Sequence, residues 1–317
     1  MRIKINLLVL VLLLSSLLMA CGSESTEVIS EDNVEEVSND TEQVVENPEE
    51  EQEEEPEEEP VILPEESQQI SEFPWDEEED FNTAQEESGA DVLIAGFVTV
   101  SEGYSDDERE NIRLAASMIS GTVLEPGEVF SQNEVAGPYT EEKGYLEGEG
   151  YVGGEVVKDF GGGVCNVATT LYNTSIASDL EIVERHNHSM PVAYVPYGQD
   201  AAVAYGYKDY KFKNNTEDPM LLWAELVDNR LYMGFYGKEA GPEITWEHET
   251  LSVTETSTQY RTNPNLGEDE ENVLVEGMDG KVVDSVLKIK YENGEEEVID
   301  LGRSTYNPLM NLIEKGE

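Results

Sequence analysis

The chain has 317 residues, with 71 Asp or Glu against 18 Lys or Arg and a formal net charge of -53, giving a pI ≈ 4.1. A surface of this sign repels a phosphate backbone, which excludes nucleic acid as a partner. Cations or a cationic partner are compatible with it.

Residues 1–20 read as an export signal. Arg2 and Lys4 form a positive start, Leu7 to Leu14 an apolar core, and small residues lead to Cys21. The apolar run is too short for a membrane span. "LMAC", Leu18 to Cys21, resembles a bacterial lipobox, which implies cleavage before Cys21, a lipid such as palmitate on its sulfur, and an extracytoplasmic protein held at the cell membrane without spanning it. Lipidation would leave Cys165 with no partner for a disulfide within the chain. Residues 22–80 then hold 26 Asp or Glu and no Lys or Arg. Such a stretch cannot offset the entropy of ordering, so residues 21–88 are predicted to be a disordered, extended acidic linker.

Two folded regions are expected after it, at 89–240 and 241–317. "DVLIAGFVTV", 91–100, is apolar and β-branched and reads as a strand. In "SDDERENIRLAASMISG", Ser105 and Glu108 have the spacing of a capping box, and Ile112, Ala115, Ala116 and Ile119 share one helical face. Pro126-Gly127 and Gly137-Pro138 mark turns. "VCNVATTLYNTSIAS", 164–178, has helical spacing and follows Gly161 to Gly163, which puts Cys165 in the first turn of a helix. "LEIVERHNHS" reads as a strand entering a loop, and "AAVAYG", "YKFKNN" and "MLLWAELVDNRLYMGFYG" read as a run of strands. Helices first and strands later make an α+β domain. Residues 241–317 read as a small β-rich module with a hairpin around Asn293-Gly294.

The ordered succession "NIRLAASMISGTVLEPGEVFSQNEVAGPYTEEKGY", "GGEVVKDFGGGVCNVATTLYN" and "LEIVERHNHSMPVAYVPYGQDAAVAYGYKDYKFKNN" resembles the VanW-like family over roughly residues 108–226. The resemblance implies a bacterial envelope protein more firmly than it implies a reaction. Tyr139 stands where that family commonly has arginine, and Asn166 where it commonly has glutamine. "GMDGKVVDSVLKIKYENGEEEVIDLG" with "NPLMNLIEKGE" resembles a G5 domain, carried by Gly277, Gly280, Gly294 and Gly316. That likeness implies a module that binds amino-sugar polymers, and hence a peptidoglycan or wall-glycan partner.

Three roles are open to Cys165. As a nucleophile it would draw on the helix N-terminus to stabilise a thiolate, with His188 as base, Asp200 as its orienter, and Gly162, Gly163, Asn166, His186 and Asp209 in support. The order Cys, His, Asp resembles that of transglutaminase- and papain-like thiol enzymes and would suit amide bonds of the cell wall. "HSMPVAYVP" leads into predicted strands, which favours His188 over His186 as the rigidly held base. As a zinc ligand, Cys165 would act with His186 and His188; without a second cysteine pair, no metal or other cofactor is assigned. As a buried hydrophobe it would be structural, the glycines serving a tight corner, in a protein that binds the wall without catalysis.

Overall fold

A computed structural model describes residues 66–152 and 155–316. The export signal, Cys21 and most of the acidic stretch lie outside the described residues.

The first described elements correct the expected linker boundary at 88. β1 (Gln68–Ile70) and α1 (Glu79–Ser88) precede β2 (Val92–Val100). Phe73, Trp75 and Phe81 are buried, and Phe73 stacks on Trp75 at 4.7 Å. The Trp75 indole N–H donates to Tyr236 Oη at 2.9 Å. Burying one large apolar side chain contributes about 1.5–3 kcal/mol, so three aromatics order a segment whose charge density otherwise favours disorder.

α2 (Asp106–Ile119) starts as predicted: Ser105 accepts from Glu108 N–H, and the Glu108 side chain returns to the Ser105 N–H. β3 (Thr122–Leu124), β4 (Val129–Ser131), the short α3 (Gln132–Val135), β5 (Glu147–Val152) and β6 (Glu155–Phe160) lead to α4 (Val164–Ala177). β7 (Glu181–Glu184), β8 (Lys211–Lys213), β9 (Met220–Val227) and β10 (Arg230–Gly237) follow. The main sheet has the order β1-β2-β10-β9-β3 and is antiparallel throughout.

Period-two alternation explains why this sheet is covered on both faces. Met220, Leu222 and Ala224 of β9 and Met233 and Phe235 of β10 enter the core shared with α2 and α4. Leu221 and Trp223 of β9 and Tyr232 and Tyr236 of β10 face the aromatic cluster with Phe73, Trp75 and Phe81. The β9–β10 hairpin turns at Asp228, whose φ is 55°.

The segment 201–206, expected as a strand, is irregular. Its backbone is satisfied elsewhere: Ala201 N–H donates to Thr169 Oγ1 at 3.0 Å, Ala202 N–H to His186 O at 2.8 Å, and Ala204 N–H to Lys208 O at 2.9 Å. With its amides engaged by α4 and by a local turn, this stretch has no ladder to join.

The C-terminal module is all strand. β11 (Glu243–Thr254), β12 (Thr258–Thr262), β13 (Glu271–Val275), β14 (Gly280–Lys290), β15 (Glu296–Thr305) and β16 (Asn311–Lys315) form two three-stranded sheets, β11-β14-β15 and β12-β16-β13. The expected hairpin around Asn293-Gly294 joins β14 to β15, with Gly294 at φ 82°. The described chain is therefore a mixed α+β domain followed by a β module.

Candidate functional site

The site is built on the start of α4. Gly163 caps the helix with φ 96°, a left-handed conformation that glycine adopts at little cost. A Cβ there would also stand 3.0 Å from the Glu108 carbonyl oxygen, so the corner packs directly against α2. Gly162 contributes its carbonyl, which accepts from Asn111 Nδ2 at 3.0 Å. The corner sets Cys165 in the first helical turn, partly buried at the edge of the main core.

His188 comes from the long irregular connection between β7 and β8. The strand expected next, at 201–206, does not form and β8 begins only at Lys211, so its rigidity comes from side chains. Asp200 Oδ2 accepts from the His188 backbone N–H at 2.7 Å and lies 2.6 Å from Nδ1. Nδ1 is committed to the carboxylate, and the His188 ring stands near enough to the Cys165 thiol for each to act on the other's charge, while the sulfur's own hydrogen-bond partner is the Val203 backbone, whose carbonyl accepts from Sγ at 3.5 Å. Asp200 Oδ1 accepts from Arg185 Nη2 at 3.0 Å and from Tyr306 Oη at 2.5 Å. Asp200 is 1% exposed, and four donors compensate its desolvation.

The electrostatics follow from this chain of contacts. Burial raises the Cys165 thiol, but the neighbouring His188 imidazolium, the Val203 N–H and the charge of Lys208 outweigh it and lower its pKa. The Val203 N–H lies 3.4 Å from the sulfur, and the N-terminus of α4 acts in the same direction. Burial disfavours imidazolium at His188, but Asp200 and Cys165 overcome it and push the pKa up to about 9. Burial works against the Asp200 carboxylate as well, yet His188 and Arg185 keep its pKa below the ordinary value. The arrangement favours a thiolate–imidazolium pair braced by a carboxylate, which is the charge state of an activated nucleophile.

The other residues singled out in the sequence stand apart from this triad. Asn166 is buried and turned toward β2, donating to Ser101 Oγ at 2.6 Å and accepting from Thr99 Oγ1 at 3.0 Å. His186 lies 3.0 Å from Glu184 Oε1, so Cys165, His186 and His188 do not form one ligand set. Among the described residues no group of three or more His, Cys, Asp or Glu is arranged to hold a metal ion. Asp209 is a cap: it accepts from Ser131 Oγ at 2.6 Å, from Asn133 N–H at 3.0 Å and from Tyr210 N–H at 2.8 Å.

Sequence reasoning missed Arg185 and Tyr306, the two residues holding Asp200 Oδ1. Arg185 had one local signal, a cation beside "HNH" in a chain poor in cations. Tyr306 had none, being 106 positions from Asp200.

A VanW-like protein model matches residues 107–236, and a G5 domain model matches residues 245–316. The chain is 36% identical over 146 residues to the uncharacterized protein YoaR of Bacillus subtilis (strain 168), covering 46% of this chain and 48% of that protein. It is 26% identical over 133 residues to the vancomycin B-type resistance protein VanW of Enterococcus faecalis (strain ATCC 700802 / V583), covering 40% of this chain and 48% of that protein. The chain thus spans about half the length of these curated relatives. Among solved structures, the G5 domain of IgA1 protease is 31% identical over 24% of this chain and 92% of its own, with a TM-score of 0.16. HP0197-G5 is 18% identical over 23% of this chain and 99% of its own, with a TM-score of 0.14. The chain therefore carries a VanW-like domain followed by a C-terminal G5 domain.

Proposed function

We propose that this chain is an envelope protein whose VanW-like domain cleaves an amide or peptide bond of the cell wall through Cys165, while its G5 domain holds wall glycan. The observation that carries the catalytic part is the placement of the Cys165 thiol beside a His188 imidazole whose charge acts on it and whose Nδ1 lies 2.6 Å from Asp200 Oδ2. The Cys165 sulfur attacks the amide carbonyl carbon, and the electron pair of the C=O bond moves to oxygen. As the carbonyl re-forms, the C–N bond breaks and the amine leaves with a proton from His188. Water then gives His188 a proton and attacks the thioester carbon, releasing a carboxylic acid and restoring the sulfur. Asp200 holds the imidazole in the tautomer that both steps need.

Muropeptide analysis of purified wall tests this reading. Incubation with the full chain yields newly cleaved stem peptides, and Cys165→Ala yields none. Identical products from both would refute it.

A second reading, favoured by the G5 match, is a wall-binding protein in which Cys165 is structural. It predicts equal retention of wild type and Cys165→Ala on purified wall, with the wall's chemistry unchanged by either. The lipobox-like "LMAC" supports a lipid on Cys21 and attachment at the outer face of the cell membrane. Membrane fractionation tests that part: Cys21→Ser should lose processing and membrane retention, and equal retention would refute the anchor.

A further inference from the structure

The long connection between β7 and β8 carries His188 without a strand ladder to hold it, and the C-terminal module supplies what is missing. Asn187 Nδ2 donates to Thr305 O at 2.9 Å, and Asn307 N–H donates to Ser189 O at 2.8 Å. Both neighbours of His188 are thus tied to the end of β15. Ser304 Oγ accepts from Arg185 Nη1 at 2.7 Å, and the same guanidinium holds Asp200 Oδ1 through Nη2. Tyr306 is buried, accepts from Gly198 N–H at 2.8 Å, and donates to Asp200 Oδ1. Its ring packs edge-on against Tyr197 with centroids 5.3 Å apart.

We infer that the G5 domain is part of the thiol site as well as a candidate wall-binding module, and that Tyr306 is a positioning residue acting on His188 through Asp200. The inference rests on the thiol reading for its functional meaning, but its geometry is independent of the reaction. A carboxylate can rotate about its last side-chain bond. With Oδ1 locked by Tyr306 and Arg185, Oδ2 is the oxygen presented to both His188 Nδ1 and His188 N–H. Removing the Tyr306 hydroxyl takes one of the two locks from Oδ1 and orphans the buried Gly198 N–H, so the carboxylate turns and its hold on the imidazole weakens. Small displacements of this kind in a catalytic hydrogen bond cost far more than the lost contact itself.

The test is the NMR titration of the His188 ring in the full chain, identified by loss of its signal in His188→Ala. The groups facing this imidazole are Asp200 and Cys165, and Arg185, Tyr306, Tyr194 and Lys208 act on those two. Wild type should titrate near 9. Tyr306→Phe, which keeps the ring, should titrate about one pH unit lower, a tenfold fall in proton affinity. Tyr197→Phe is the control: it removes a 2.6 Å hydrogen bond to Asp279 O at the same junction without touching Asp200, and should leave the midpoint in place. An unmoved midpoint in Tyr306→Phe, an equal fall in both variants, or a rise in Tyr306→Phe would each overturn the inference. A His188 that responds as expected beside an unreactive Cys165 would remove the thiol reading and leave the positioning role standing.

Discussion

Replacing Asp200 by Asn keeps the size of the side chain and removes its charge. The oxygen that remains cannot serve His188 Nδ1, His188 N–H, Arg185 and Tyr306 together as the carboxylate does. The interval between the ordinary imidazole value of 6.5 and about 9 corresponds to roughly 3 kcal/mol of preference for imidazolium in the folded chain. Part of that preference belongs to Cys165, which raises His188 along with Asp200, while the largely buried Arg185, 14% exposed at its side chain, also loses its counter-charge, for which the cost of a broken fully buried pair, about 3–5 kcal/mol, is an upper bound. A loss of about 3 kcal/mol is therefore expected in urea unfolding near pH 6, seen as a lower midpoint with an unchanged slope. The pH dependence has a definite sign. Asp200 is held below its ordinary 3.8, so its contribution is present above 3.8 and lost as pH falls through the lowered value. His188 is raised, so its contribution is complete below 6.5 and lost as pH rises through about 9. The gap between wild type and Asp200→Asn should narrow at both ends. A difference under about 1 kcal/mol at pH 6, or one indifferent to pH, would refute this account of the carboxylate.

Three further outcomes follow from the fold. Trp75→Ala should cost about 3–5 kcal/mol, read as an early loss of α1 protection in hydrogen exchange; full protection would show that the aromatic cluster does not order this segment. Ser105→Ala should cost about 1 kcal/mol in thermal unfolding through loss of the α2 cap. Gly163→Ala, at φ 96°, should cost about 1–2 kcal/mol for the left-handed backbone, and an unchanged midpoint would mean the corner relaxes freely.

Legibility in the sequence followed the range of the contacts. The capping box of α2, the helical spacing of α4 and the alternation along β9 and β10 are local patterns, and each appears as its residues specify. Residues 66–88 were illegible because averaged charge hid three aromatics whose partners, Trp223 and Tyr236, lie far along the chain. The stretch 201–206 looked like a strand because composition reports apolar content and not where the amides go. Cys165, His188 and Asp200 were identifiable as chemical types, and the fold brings all three together. Their supports were hidden: Asn166 and Asp209 turned out to serve β2 and α3, while Tyr306 has no local signature in another module.

The central claim is that Cys165 is an activated thiol. The most direct measurement is the rate of its alkylation by iodoacetamide against pH, in native protein carrying Cys21→Ser so that one thiol remains, beside the same protein with His188→Ala. The account predicts reaction well below pH 8.5, the value of about 8.5 being that of a free thiol, indifference to chelator, and a shift to higher pH when His188 is removed. A Cys165 that is inert at every pH in the native chain and reacts only on unfolding would contradict it.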